Sequence, residues 1–157
     1  MSVRIFFNLL IVTVMAGVGI FFSVHHYQEK YKVPQAPCYS TIKQGAFVDD
    51  DQQAYIFNGN ITWWPYQEKL SIFGISKNSQ GSVVINRSLE LSNLWQYKNS
   101  VHARVAKVEV AASDRLGDGK ALISPVGAPI SIIFKPISER KWLMMINDNW
   151  VAMCEKK

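Results

Sequence analysis

Tyr55-Ile56-Phe57-Asn58-Gly59-Asn60-Ile61-Thr62-Trp63-Trp64 is the stretch on which the fold turns. Tyr55, Phe57, Ile61 and Trp63 share one parity around Gly59, and Asn58, Asn60 and Thr62 share the other. Successive side chains of a β-strand point to opposite faces, so this period of two reads as a strand with one apolar and one wet side. Trp63 and Trp64 are adjacent and point opposite ways, which leaves one of them exposed or against a partner. Pro65 and Tyr66 end the strand.

The same period continues downstream. Leu70 and Ile72 alternate against Ser71 as far as Gly74, a glycine that marks a bulge or a close backbone approach. After a turn over Lys77 to Gly81, Val83, Ile85, Leu89 and Leu91 face away from Asn86, Ser88 and Glu90. Arg87 falls on that apolar face. Three readings stay open for it: an inward charge paired with Glu90 or Glu109, a cross-strand rim residue, or a bulge. Asn93 to Asn99 is expected to turn the chain, and Val101, Ala103 and Val105 then oppose His102 and Arg104. Beyond Val105 the apolar parity switches to Val108 and Val110, which predicts a bulge near Ala106 and Lys107.

Ser113 to Lys120 reads as a polar loop and Ala121 to Ser124 as a helical turn. Strands are expected at Pro129 to Pro136, Lys141 to Ile146 and Trp150 to Cys154. No sustained helical period appears downstream of residue 37. Six to eight antiparallel strands make the domain mainly β, a small barrel or sandwich, and a half-open barrel closed by the last strand is preferred. Trp63, Trp64, Tyr66, Trp95, Tyr97, Trp142 and Trp150, with Met144, Met145 and Met153, either fill that interior or line an apolar cavity or patch.

Upstream, Ile5 to Val24 is twenty residues without a charged side chain. At about 1.5 Å per residue it matches the roughly 30 Å hydrocarbon core of a bilayer, so lipid is its expected partner as a single transmembrane helix. Asn8, Thr13 and Ser23 are small enough to bond within the helix. A cleaved signal peptide is the rival reading, but such apolar cores run about 7 to 15 residues, and this run continues to Val24. Residues 1–4 form a short tail, cytoplasmic in this reading. His25 to Pro37 lacks apolar periodicity, and Pro34 and Pro37 disfavour a regular helix, so residues 25–37 read as an extended stalk. Tyr27 and Tyr31 suit the headgroup belt. Arg4 opposes Lys30 and Lys32, so charge alone does not orient the span.

The chain has two cysteines, Cys38 opening the domain and Cys154 near its end. They are either buried thiols of a cytosolic domain or a bridge formed in an oxidising compartment. Their position favours the bridge, which places residues 38–157 in the periplasm of a bacterial cell. Net charge is +5, yet the basic residues are scattered, so direct nucleic-acid binding is not expected.

Catalytic patterns are missing from the sequence: GxSxG, HExxH and GxGxxG do not occur. The run Gly117-Asp118-Gly119-Lys120 imitates a phosphate loop, but Asp114 stands where a glycine belongs and Ala121 where Ser or Thr belongs. Asp49, Asp50 and Asp51 lack the glycine and glutamate of a calcium loop and read as a solvated turn. His102 reads as a surface or cross-strand residue. No enzyme activity, metal or cofactor is expected, and an unrecognised hydrolase would require clustered acid, base and nucleophile.

Several motifs together carry a resemblance. A single N-terminal span and a tyrosine-bearing stalk precede Cys38; then come Phe57-Asn58-Gly59-Asn60-Ile61, Ile72-Phe73-Gly74-Ile75-Ser76 and Val84-Ile85-Asn86-Arg87-Ser88-Leu89, with Cys154 near the end. In this the chain resembles the FidL-like inner-membrane proteins of enteric bacteria, although Trp95 to Val126 carries no matching signature. The resemblance implies a bitopic inner-membrane protein acting beside a membrane-bound, ToxR-type transcriptional regulator as a ToxS-like accessory subunit. Trp63, Trp64 and Tyr66, with the edge strand they close, are the expected contact. The alternative is a lipocalin-like periplasmic sensor holding a small amphipathic ligand in the barrel.

Overall fold

The computed structural model describes residues 3–30, 32–48, 54–79, 81–117 and 122–156. The chain divides into two compact units, residues 1–32 and 33–157.

The first unit contains one helix, α1 (Val3–Lys30). Its segment Asn8–His25 is long and apolar enough to cross a membrane, and none of it is buried within the protein. The polar side chains inside the apolar run close on their own backbone: Thr13 Oγ1 donates to Leu9 O and Ser23 Oγ to Gly19 O, both at 2.8 Å. This i to i−4 bonding removes the hydroxyls from any need for water. The expected stalk is corrected in its first half, because α1 runs through His25 to Lys30. Residues 25–30 contain neither Gly nor Pro, so nothing interrupts the backbone ladder before the prolines at 34 and 37 act. The second half is corrected too: Val33 and Pro34 are buried and belong to the second unit.

That unit is a closed eight-stranded antiparallel barrel in simple sequential order. Its strands are β1 (Cys38–Val48), β2 (Ala54–Trp64), β3 (Lys69–Asn78), β4 (Gly81–Tyr97), β5 (Ser100–Val110), β6 (Pro129–Ser138), β7 (Lys141–Ile146) and β8 (Trp150–Lys156). The last strand closes the barrel, as expected, but the half-open form is corrected to a fully closed one, and a sandwich is excluded. Closure rests on three residue pairs, Cys38 with Lys156, Tyr39 with Glu155 and Ser40 with Cys154. Cys38 and Cys154 form a disulfide across this seam, with Cα atoms 5.5 Å apart and a sequence separation of 116.

Inward parity follows the alternation of β2, with Tyr55, Phe57, Ile61 and Trp63 all buried. Gly59 faces Gly74 across the β2–β3 ladder. A Cβ on either would come within 2.7 Å of the Phe57 ring, so the two glycines make the hollow that this ring fills. Gly74 is therefore a close approach rather than a bulge. The bulge expected near Ala106 is present: Glu90 pairs with Lys107 and Leu91 with Val105, which skips Ala106. The expected turn at Asn93 to Asn99 is corrected, since β4 continues to Tyr97 and turns only at Lys98 and Asn99. Asn93 takes a left-handed φ of 52° and is absorbed as a second bulge. The helical turn expected at Ala121 to Ser124 is not formed over the described residues Leu122 to Ser124.

Candidate functional site

The three residues expected to meet a partner do not act together. Trp63 lies inside the barrel at 1% exposure, with its ring 6.1 Å from Phe134. It shares the parity of Phe57 and Ile61 and is unavailable to a partner, which corrects that expectation. Trp64 points outward, half-buried under an edge-to-face contact with Tyr39 at 5.8 Å. Tyr66, on the 3₁₀ turn Pro65–Gln67, is 84% exposed. The edge strand expected for augmentation is also corrected: barrel closure pairs β2 on both sides.

An apolar surface lies elsewhere on the same strands. Phe73 and Ile75 of β3 and Ile56 of β2 are exposed on the outer wall. Ile75 pairs with Asn58 on one side and with half-buried Val84 on the other. Ile56 sits two residues from Asn58, so these side chains form one patch across β2, β3 and β4, with Asn58, Asn60 and Asn86 around it. The signal for it is in the sequence: Ile72-Phe73-Gly74-Ile75 breaks the alternation, so β3 is apolar on both faces. A strand covered by only one core has no internal use for its second apolar face.

A polar clasp secures the connection between β5 and β6. Arg87 faces inward, and its Nε and Nη2 donate to the two carboxylate oxygens of Asp114 at 3.0 and 2.9 Å. The two side chains are 4% and 1% exposed. Arg87 Nη2 also donates to Gly117 O at 2.8 Å, while Asp114 accepts the backbone N–H groups of Asn86 and Leu116 at 2.8 and 2.9 Å. Burial works against ionisation of Asp114. The hydrogen bonds from Arg87, Asn86 and Leu116, together with the Arg87 charge, outweigh it and hold the carboxyl below its usual range. Arg87 therefore resolves as an inward charge, with Asp114 as its carboxylate instead of Glu90 or Glu109. At the return of this connection, Asn147 Nδ2 donates to Ser124 Oγ at 2.8 Å. Leu116, Leu122 and Ile123 pack against the core between the two clasps.

Glu109 bonds Lys69 and Lys107, both at 2.9 Å. The Lys107 bond, then the Lys69 bond and the two charges, pull its carboxyl down to about 2. His102 stacks on Trp95 across the β4–β5 ladder with ring centroids 4.4 Å apart, a cross-strand role as expected. Its Nε2 lies 3.0 Å from Ser100 Oγ. Ser100 Oγ also lies 2.8 Å from Tyr97 O, to which it can donate.

The barrel interior is occupied by side chains: Phe57, Trp63, Phe134 and Met144 are all at 1% exposure or less. Phe47 stacks on Trp150 at 4.1 Å, with Phe57 edge-on to Trp150 at 5.4 Å. Ser40 Oγ, Trp63 Nε1 and Trp142 Nε1 are buried without a hydrogen-bond partner. Ser40 pairs with Cys154 and Cys154 with Trp142, which places Ser40 and Trp142 on either side of Cys154. Two grooves on the wall, of about 630 and 460 Å³, are lined by Tyr39, Asn60 and Arg140 and by Trp95, His102 and Ser131 respectively. Among the described residues no three His, Cys, Asp or Glu side chains gather as a metal site. The acidic run at 49–51 and the segment 118–121 of the phosphate-loop imitation lie outside the described residues. No family model, curated protein or solved structure matches the chain.

Proposed function

We propose that this chain is a single-pass inner-membrane protein whose periplasmic barrel binds and modulates a membrane-bound regulatory protein of the ToxR type. The observation that carries the proposal is the outer-wall patch of Ile56, Phe73 and Ile75, an apolar surface on a barrel whose core already occupies the opposite face of the same strands. Exposed aromatic and aliphatic groups ringed by amides are the composition of a docking surface: the apolar centre excludes water and the polar rim sets the register. Such a module acts by mass action. Binding the folded partner stabilises it, and no bond is broken.

The anchor holds both proteins in one plane, so a modest contact suffices at the high effective concentration of a shared membrane. The regulator class comes from the FidL-like resemblance, and the chemistry of the contact comes from the patch. The disulfide across the seam supports an oxidising compartment. A filled interior favours this reading over the lipocalin-like sensor, which needs volume for its ligand.

The test is photo-cross-linking in native membranes with a reactive side chain at Phe73 and, as control, at exposed Lys135 on β6, across the barrel from the patch. The proposal expects a covalent adduct with a membrane-anchored regulator from position 73 and none from 135. No adduct at 73 or 75, with regulator output unchanged on deletion of the gene, refutes it.

A further inference from the structure

In a simple up-and-down barrel, alternate connections lie at the same end. The chain arrives at Cys38, so the β2–β3, β4–β5 and β6–β7 connections and the end of β8 share that end. The two ends differ in chemistry. At the arriving end, Tyr66 projects from the first connection, Tyr97 flanks the second with Trp95 two residues earlier, and Ile137 flanks the third. All four are more than half exposed. Lys98 lies 5.3 Å over the Tyr97 ring, and Arg140 and Lys141 follow Ile137. The far end is composed otherwise. Among the described residues its connections carry Ser79, Asp114, Arg115 and Asn147 to Asn149 and no aromatic residue, and the aromatics that flank them, Phe47, Tyr55 and Trp150, pack into the core.

We infer that the arriving end of the barrel is a second membrane contact, resting on anionic lipid headgroups; the inference depends on α1 spanning the bilayer. Tyrosine and tryptophan beside lysine and arginine are what the headgroup layer selects, because the ring partitions into the interface while the cation meets phosphate. Chain length brings the surfaces within reach. Helix α1 ends at Lys30 and Val33 is already buried in the barrel, leaving only residues 31 and 32 between. From His25, where the apolar span ends, five helical residues of about 1.5 Å rise and three peptide steps make a tether of at most about 18 Å.

The acidic residues of this end are Glu68, Glu139 and Glu155. Against them stand Lys98, Arg140, Lys141 and Lys156 at the end of β8, an excess of one positive charge with Glu155 paired to Lys141 at 3.6 Å, so the net field is weakly positive and the aromatic groups carry most of the attraction. The contact presents the Ile56, Phe73 and Ile75 patch sideways to other membrane-anchored proteins, since that patch lies on the wall between the two ends.

The full chain in bilayer nanodiscs tests this. Single cysteines replace Gln67, Ser138 or Ser79, are labelled with an environment-sensitive fluorophore while the native disulfide stays oxidised, and are quenched by lipids carrying a nitroxide on the headgroup. With about a third phosphatidylglycerol in phosphatidylcholine, labels at 67 and 138 are expected to be quenched about threefold more than at 79, and Y66S/Y97S to remove most of that difference. Equal quenching at 67, 138 and 79 overturns the inference. A label at Met15→Cys, read with nitroxides deep in the acyl chains, separates the two claims. If position 15 is quenched and the three barrel labels are alike, the headgroup contact alone is wrong; if position 15 is not quenched, the spanning helix is wrong and the inference falls with it.

Discussion

Substituting Asp114 by Asn tests the buried clasp by removing one charge while nearly preserving shape. In the folded protein Asp114 accepts four hydrogen bonds, two from Arg87 and two from backbone amides, and both partners of the ion pair are at least 96% buried. The variant leaves the Arg87 charge inside the barrel without this carboxylate, and breaking a buried pair from one side costs about 3–5 kcal/mol. With a urea slope near 2 kcal/mol/M for a domain of this size, the midpoint should fall by about 2 M.

Replacing both partners by apolar residues, Arg87→Met with Asp114→Leu, removes the stranded charge and should recover most of the loss. A pH series adds an independent readout. Because the folded carboxyl titrates below its unfolded value of about 3.9, its stabilisation is complete above that pH and disappears as pH falls through the folded value. The stability difference between the parent chain and Asp114→Asn should therefore narrow below about pH 4. Tryptophan fluorescence during urea titration of the full chain in detergent reports both results. A loss under about 1 kcal/mol, with pH curves that superimpose, would refute the reasoning.

Three further tests probe the barrel by the same assay. Cys38→Ser with Cys154→Ser opens a link spanning 116 residues and should cost about 4–5 kcal/mol, with reductant reproducing the effect in the parent chain. Gly74→Ala places a Cβ 2.5 Å from the Asn58 carbonyl oxygen and 2.7 Å from the Gly59 Cα and the Phe57 ring, and should cost about 1–3 kcal/mol; Phe57→Leu in the same chain relieves only the ring contact and should recover part of that. Ser40→Ala removes a buried hydroxyl that has no partner, so its midpoint should match or exceed the parent's; a loss above about 1 kcal/mol would show that the hydroxyl is bonded in solution.

What the sequence discloses here depends on whether a feature leaves a periodic trace. The β2 alternation, the switch of parity at Ala106 and the terminal placement of the two cysteines each do, and each matches the structure. The same parity identifies Trp63 as the inward member of its pair, because it stands in step with Phe57 and Ile61. The Arg87 partner leaves no such trace: Asp114 is 27 residues away in an irregular connection, where no period ties a carboxylate to a strand. Asn93 looks like a turn residue and adopts a turn-like φ, yet strand pairing on both sides carries the chain through it. Helix α1 overruns the apolar segment because helix ends are set by caps and breakers, whereas hydropathy reports only the lipid-compatible part. The wall patch is legible as two-sided apolarity in β3, once closure of the barrel shows that one of those faces meets solvent.

The account rests most heavily on an uncleaved anchor that holds the barrel on the oxidising side of the membrane. Intact-mass analysis of Ser79→Cys after treatment of outer-membrane-permeabilised, unlysed cells with a membrane-impermeant maleimide tests both parts at once. The account predicts a membrane-extracted chain that retains residues 1–24, carries one maleimide at position 79 and keeps Cys38 and Cys154 joined. A chain lacking its apolar N-terminal segment, or one labelled only after lysis, would contradict it.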